Sequence, residues 1–402
     1  MRTIWWQRAR LRTDEDDEIE RHVSWLELFF DLVFVVVIAR LSHDLAQDVT
    51  PGAVVGFCLQ FGAVFWAWNG FTYYVERFES DGLENRLFTF VAMAAVAALA
   101  VWTEDGLGAG YGGFIGAYLA TRAVNMVQWV RAACHEPVFR PVAVRFVGGF
   151  LSASVLLLLA IDLEGWERRL LFGTAVLVEI LTPTLTLRRQ SALPRISASK
   201  FPERFGQLTI IVLGEAIVGV VTGLGELNHE HRLGVIQALD GLLGLAVGFG
   251  LWWVYFDFIA RRPPRPRFGA ALGWVYLHLV VLVAITATGA AISLSIGESA
   301  GVRAMAGHVL LGSAVAVALV GLALLELTLD RGPDEPTHAR LSPSLKVLCG
   351  AVAALTSLVP GWPTTALLVV LLVLLVVPAL YGVVVWYGIR PAPDPSAAER
   401  QT

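Results

Sequence analysis

Twelve stretches of about 20 mostly apolar residues follow one another along the chain, the first at 23–40 and the last at 363–388. That length lets an α-helix cross the roughly 30 Å hydrocarbon layer of a bilayer. Inside lipid every backbone amide must be satisfied within its own segment, so such spans fold as helices. The pattern predicts an all-α, polytopic integral membrane protein of about twelve transmembrane helices. Composition agrees: 56% of the 402 residues are hydrophobic and only 16% are charged, against about 25% charged in soluble domains. Nothing in this distribution points to nucleic acid. The bilayer is the expected partner, together with a small ion or solute, and oligomeric state is not readable.

The loops carry the orientation. With the N-terminus placed in the cytoplasm, the 30 Lys and Arg sort about five to one onto the cytoplasmic side, as the positive-inside rule requires. Both termini are then cytoplasmic. The first 22 residues are basic and then acidic, with no apolar core of a signal peptide. Trp5 and Trp6 beside Arg8, Arg10 and Arg12 read either as a segment lying on the membrane surface or as a frayed tail.

The longest internal connection, RRQSALPRISASKFPER, divides six segments from six. The expected organisation is a cytoplasmic tail (1–22), a first six-helix repeat (23–187), a cytoplasmic linker (188–204), a second six-helix repeat (205–388) and a cytoplasmic tail (389–402). Two aromatic clusters, WAWNGFTYYVERF (66–78) and LWWVYFDF (251–258), close the second helix of each half. Matching Glu27-Leu28 with Gln207-Leu208 brings the leading helices into register. An even number of helices per half makes the repeat parallel.

Charges inside the spans are the candidate functional groups, because they are costly there. Glu27 and Asp31 lie about 6 and 12 Å into the first helix, one turn apart on one face. Glu27 also reads as an acid favoured by the helix N-terminus. Two carboxylates this close repel, so one is expected to hold a proton. Glu215 lies about 15 Å into the seventh span, after Gly214, which would let another backbone approach. Arg122 and Asn125 share a face of the fourth span. Arg122 needs a counter-ion, with Asp31, Glu179 and Glu215 as the choices. Asp31, Glu215 and Glu27 are the expected cation or proton site. Arg122, Asn125, Glu179 and His278 form a second, polar-network group. His278 and His308 read first as hydrogen-bonded packing residues and second as proton carriers. Asp240, Asp257 and Glu326 are expected at helix ends, and Tyr74–Arg86 as a solvated turn. Cys58, Cys134 and Cys349 have no metal or redox spacing. No P-loop, HExxH or GxSxG motif is present. No enzyme activity, metal or cofactor is expected.

Three runs carry a family likeness: SWLELFFDLVFVVVIARLSHDL (24–45), WAWNGFTYYVERFESD (66–81) and ERFGQLTIIVLGEAIVGV (203–220). They resemble the bacterial low-temperature-requirement A family. The likeness falls on Glu27, Phe29, Phe30, Asp31, Glu203, Arg204, Phe205, Gly206, Gly214 and Glu215. It implies a multi-pass inner-membrane protein linked to growth in the cold, without an agreed activity. FFDLVFVVVI (29–38) is also similar to the FSD signature of lysosomal-type potassium channels, though Phe30 replaces the serine. Three functions follow as expectations. The first is a secondary transporter or proton-coupled permease using the intramembrane carboxylates. The second is an ion channel with Phe29, Phe30 and Ile210 as a hydrophobic constriction. The third is a non-transporting sensor or scaffold.

Overall fold

The computed structural model describes residues 5–12, 23–79, 82–194, 199–297, 302–332 and 335–388. The tail at 389–402, most of the tail before residue 23 and the middle of the 188–204 linker lie outside them. The chain is a helical bundle: α1 (Trp25–Gln47), α2 (Pro51–Arg77), α3 (Leu83–Val101), α4 (Tyr111–His135), α5 (Arg140–Leu159), α6 (Gly165–Leu181), α7 (Leu187–Gln190), α8 (Lys200–His229), α9 (Val235–Tyr255), α10 (Phe268–Gly297), α11 (Val302–Thr328), α12 (Leu341–Ser357) and α13 (Thr364–Tyr387). A 3-10 stretch, Thr182–Thr186, joins α6 to α7, and a π-helical stretch, Phe256–Ala260, ends α9.

Among the described residues, nine helices are long and apolar enough to cross a membrane, fewer than the twelve spans counted in the sequence. The other three spans are also helical, and composition or length sets them apart. α1 carries Glu27, Asp31, Arg40 and Asp44, α4 is a weakly apolar run around Arg122 and Asn125, and α12 has 17 residues. α1 turns its two acids inward together with apolar residues such as Phe30 and Phe34, and leaves an apolar stripe outward. Glu27 and Asp31 are buried, while Trp25, Phe29, Leu32 and Val36 form an exposed stripe at helical spacing. That arrangement suits a lipid solvent, where the polar groups need protein partners. Phe29 and Ile210 are about half exposed on the outer surface, so the expected Phe29–Phe30–Ile210 constriction does not form. Phe30 alone is buried, against Phe34 and Phe71.

α1 starts where Ser24 and Glu27 close a capping box, with Ser24 N–H donating to Glu27 Oε2 at 2.8 Å. Thr50 caps α2, with Pro51 in its first turn, where a missing N–H costs nothing. α1 packs on α2 and α3, α3 on α4, α4 on α5, α5 on α6, and α6 returns to α2. Beyond α7, α8 packs on α9 and α10, α10 on α11, α11 on α12, α12 on α13, and α13 returns to α9. α10 also touches α1 and α2 and is the most enclosed of the long apolar helices.

Part of the N-terminal segment is tied to the bundle, while Trp5 and Trp6 are exposed. Arg10–Leu11 pairs antiparallel with Phe78–Glu79, and Arg12 bonds Glu76 at 2.9 Å. Tyr74, Glu76, Arg77, Phe78 and Glu84 are all buried there, so much of the expected solvated turn is packed structure.

Candidate functional site

The two acids of α1 meet two bases of α8. Lys200 Nζ lies 2.8 Å from Glu27 Oε1, and Arg204 Nη2 lies 2.5 Å from Asp31 Oδ1. Both pairs have i,i+4 spacing, so one turn of each helix presents a matched face to the other. Trp68 of α2 donates its indole N–H to Asp31 Oδ1 at 2.7 Å, and Arg204 lies over the Trp68 ring. Asp31 is 0% exposed. Each carboxylate therefore has a cation beside it, while Asp31 Oδ2 is buried without a hydrogen-bond partner. Asp31 sits in a closed contact tying α1, α2 and α8 together.

Arg122 has chosen Glu179 from its three candidate partners. Its Nε lies 3.1 Å from Glu179 Oε1, and Tyr118 O–H donates to Glu179 Oε2 at 2.6 Å. The guanidinium stacks 3.9 Å above the Phe150 ring. Gly70 leaves the space, since a Cβ there would stand 2.9 Å from Arg122 Nη1 and 2.8 Å from Asn125 Oδ1. Asn125 accepts from the Trp129 indole at 3.0 Å.

Beside this pair lies a cavity of about 50 Å³, room for a few water molecules. Trp66, Trp129, Phe146 and Phe150 supply apolar walls, and Asn69, Arg122, Glu179 and Gln190 supply polar ones. Arg122 Nη2 and Asn69 Oδ1 are buried without any hydrogen-bond partner. Such atoms cost free energy unless a water or ligand meets them.

One wall is a broken helix, and the break follows from the sequence. Pro183 has no N–H to continue α6, and the chain tightens into the 3-10 stretch. Ile180 C=O, released from the α-helical ladder, accepts instead from Tyr276 O–H of α10 at 2.6 Å. Gly149 of α5 makes room for Thr182. Below the break, Gln190 accepts from the Tyr73 hydroxyl, which in turn accepts from Arg77 Nε at 2.9 Å. The cavity thus lies toward the end of the bundle that carries the N-terminal strand.

The other predicted residues lie elsewhere. Glu215 is buried on α8 beside Ser42 of α1. Neither Glu215 nor Asp31 lines the Arg122 cavity. Gly214 has no neighbour within 4 Å of a would-be Cβ, so it is not the point of close approach. That point is one turn on, where Gly219 abuts Gly289 of α10. His278 does not join the Arg122 network. Its Nδ1 is 2.9 Å from Trp274 C=O and its Nε2 is 3.1 Å from Tyr255 Oη. A carbonyl only accepts, so Nδ1 donates, Nε2 accepts, and the ring is satisfied while neutral. Glu203 accepts from Gln207 at 3.3 Å, and Gly206 meets only Phe256 at ordinary contact distance.

Sequence reasoning missed Lys200, Trp68, Asn69, Tyr118 and Gln190 as contributors, and marked Arg204 as a motif residue without giving it a partner. The spacing Lys200–Arg204 against Glu27–Asp31 was an available signal. It also missed Lys346 as an intramembrane cation. Lys346 is 0% exposed and bonds Glu326 at 2.8 Å, and Arg262 reaches the same carboxylate at 3.4 Å. Glu326 is accordingly a buried partner rather than an interfacial residue.

Residues 22–380 match the family of the bacterial low temperature requirement A protein, LtrA. The chain belongs to the LtrA family. An uncharacterized protein of Rhizobium meliloti (strain 1021) is 24% identical over 303 residues, covering 71% of this chain and 72% of that protein. A phospho-N-acetylmuramoyl-pentapeptide-transferase of Shouchella clausii (strain KSM-K16) is 38% identical over 100 residues, covering 24% of this LtrA chain and 30% of that enzyme. LtrA membership together with the long apolar helices makes this a multi-pass membrane protein.

Proposed function

We propose that this LtrA protein is a non-enzymatic secondary transporter of a small polar solute, which it holds in the cavity beside Arg122. The observation that carries this reading is the pairing of two unpartnered, buried polar atoms, Arg122 Nη2 and Asn69 Oδ1, with a cavity under a helix break. Broken helices buried within a membrane protein place free backbone and side-chain groups around a solute without exposing them to lipid. Glu179 holds the guanidinium in place, while Nη2 and Asn69 remain to bind the solute. The ligand offers an acceptor to Arg122 and a donor to Asn69.

The architecture proposed for it is two parallel six-helix halves, with both termini in the cytoplasm of a bacterial inner membrane. Each of the packing pairs among α1–α6 has a counterpart among α8–α13. Pro183 follows α6, and Pro378 lies inside α13. These correspondences support duplication. The Arg122 cavity would then open toward the cytoplasm.

Purified protein in liposomes tests the reading with a panel of small anions, cations and neutral polar solutes. Uptake of one class is expected, with a loss of about tenfold or more in Arg122→Lys and Asn69→Leu, since each good hydrogen bond to a charged group is worth about 1.5–3 kcal/mol. Both variants should keep the wild-type unfolding midpoint to within a few degrees. A wild type that moves nothing, or uptake untouched by both substitutions, would overturn it.

A further inference from the structure

We propose that Glu215 is a proton-binding site, reached from the end of the bundle opposite the Arg122 cavity. Six buried carboxylates each have a cation at hand. Glu27 has Lys200, Asp31 has Arg204, Glu76 has Arg12, Glu84 has Arg131, Glu179 has Arg122 and Glu326 has Lys346. Asp240 accepts from Thr365 and has His308 nearby. Glu215 is 3% exposed, and no Lys, Arg or His of the described residues pairs with it. The groups set against this turn of α8 are small or uncharged, while Arg40, His43 and Asp44 flank Ser42 on α1, with Arg40 and His43 exposed. α1 presents Ser42. α10 presents Gly289, where a Cβ would stand 2.7 Å from the Glu215 carbonyl. α9 presents Gly248 against Ala216. A buried carboxylate without a partner is neutralised by something the chain does not supply.

A route for that partner lies on the same three helices. A polar cavity of about 140 Å³ is lined by His43 and Gln47 of α1, Thr222 and Glu226 of α8, and Ser293 of α10. Arg232 and Arg303 stand at it as well. Thr222 and Glu226 follow Glu215 by seven and eleven residues, so they continue its helix face about 10 and 16 Å farther along the axis. Ser42 and His43 are neighbours on α1. The cavity therefore lies between one end of the bundle and the Ser42–Glu215 contact, with Thr222 about 10 Å beyond Glu215 along α8.

The ligand is a proton rather than a metal ion. One carboxyl and one hydroxyl fall well short of the six or more oxygens a hard metal cation takes. Protonated Glu215 donates its O–H to Ser42 Oγ. On release the proton passes to water in the cavity, and Ser42 O–H donates to the carboxylate left behind.

The test is carbodiimide labelling of the intact protein in liposomes, read by mass spectrometry of the peptide containing Glu215. Hydrophobic carbodiimides react with protonated carboxyls in apolar sites. Labelling is expected at Glu215 and not at Asp31 or Glu179. It should fall about tenfold across the pH range in which the carboxyl ionises, since one pH unit is a tenfold change in protonation ratio. Ser42→Ala should shift that pH profile, and Arg122→Lys should leave it alone. Labelling absent, or constant with pH, overturns the proposal. Protection by sodium at constant pH overturns it in favour of a metal cation. The measurement needs no transported solute, so it stands or falls apart from the transport reading.

Discussion

Asp31 and Glu215 are the deep acids of α1 and α8, and the protein surrounds them in opposite ways. Asp31 is held by Arg204 at 2.5 Å and by the Trp68 indole at 2.7 Å. Glu215 has a serine hydroxyl and the Gly289 backbone beside it, and among the described residues no cation pairs with it. The first arrangement spends its charge on joining helices. The second leaves a carboxyl whose charge state is free to change. Position in a membrane helix alone does not distinguish them, because a buried ion pair and a buried functional acid lie at the same depth. The partner distinguishes them.

The largest effect should come from removing that partner. Arg204→Ala strands Asp31 in a dry contact, and breaking a buried pair from one side costs about 3–5 kcal/mol. The expected outcome is a large drop in the unfolding midpoint in detergent, followed through the tryptophan fluorescence. Replacing Arg204 and Asp31 together by Leu and Asn should recover much of it. A single variant as stable as wild type would remove the contrast on which the comparison rests.

Glu215 depends instead on close backbone packing. Gly219 and Gly223 of α8 lie against Gly289 and Ser293 of α10, a small-residue crossing of the kind that brings membrane helices together. Gly289→Val would push a side chain into the Glu215 carbonyl. Overpacking of this sort costs about 2–3 kcal/mol, seen as a lowered midpoint and loss of carbodiimide labelling at Glu215. Tyr118→Phe probes a third acid, Glu179, which keeps its Arg122 partner and loses one hydrogen bond of 2.6 Å. A loss of about 1.5 kcal/mol is expected, smaller than for Arg204→Ala because no charge is stranded.

The class of the fold is legible in the sequence because its cause is local: an apolar run of about 20 residues must be helical in lipid. The partners of the charges are not local. Arg204 and Asp31 are 173 residues apart, and nothing in either helix alone says that they meet. Lys346 is hidden for a related reason. At the start of a short span it reads as a loop cation, and only the packing of α12 on α11 brings it to Glu326. Arg122 required an acid on depth alone, and Glu179 is one of the three that depth allows. The cavity had a partial signal in Pro183, which breaks α6 beside Glu179, but its walls come from α2, α4, α5, α8 and α10 as well. Glu215 is legible as a mid-membrane acid. Its lack of a partner is a property of the surrounding helices and appears only in three dimensions.

The smallest expected effect separates the two acids most directly. Glu215→Gln replaces the carboxyl by an amide of nearly the same shape, which still offers a donor to Ser42. A neutral isostere at a site that holds a neutral acid should change stability by less than about 0.5 kcal/mol, the range of substitutions that disturb no packed feature. Asp31→Asn is the same chemical change in the opposite setting. There it leaves Arg204 buried, with Glu27 Oε1 at 3.9 Å as its remaining acid, and the loss should run to several times that of Glu215→Gln. Equal midpoints for the two variants would mean that Arg204 is satisfied without Asp31. A large loss in Glu215→Gln would mean that Glu215 is held as a carboxylate by a group among the residues around it, and its charge would then belong to the scaffold like that of Asp31.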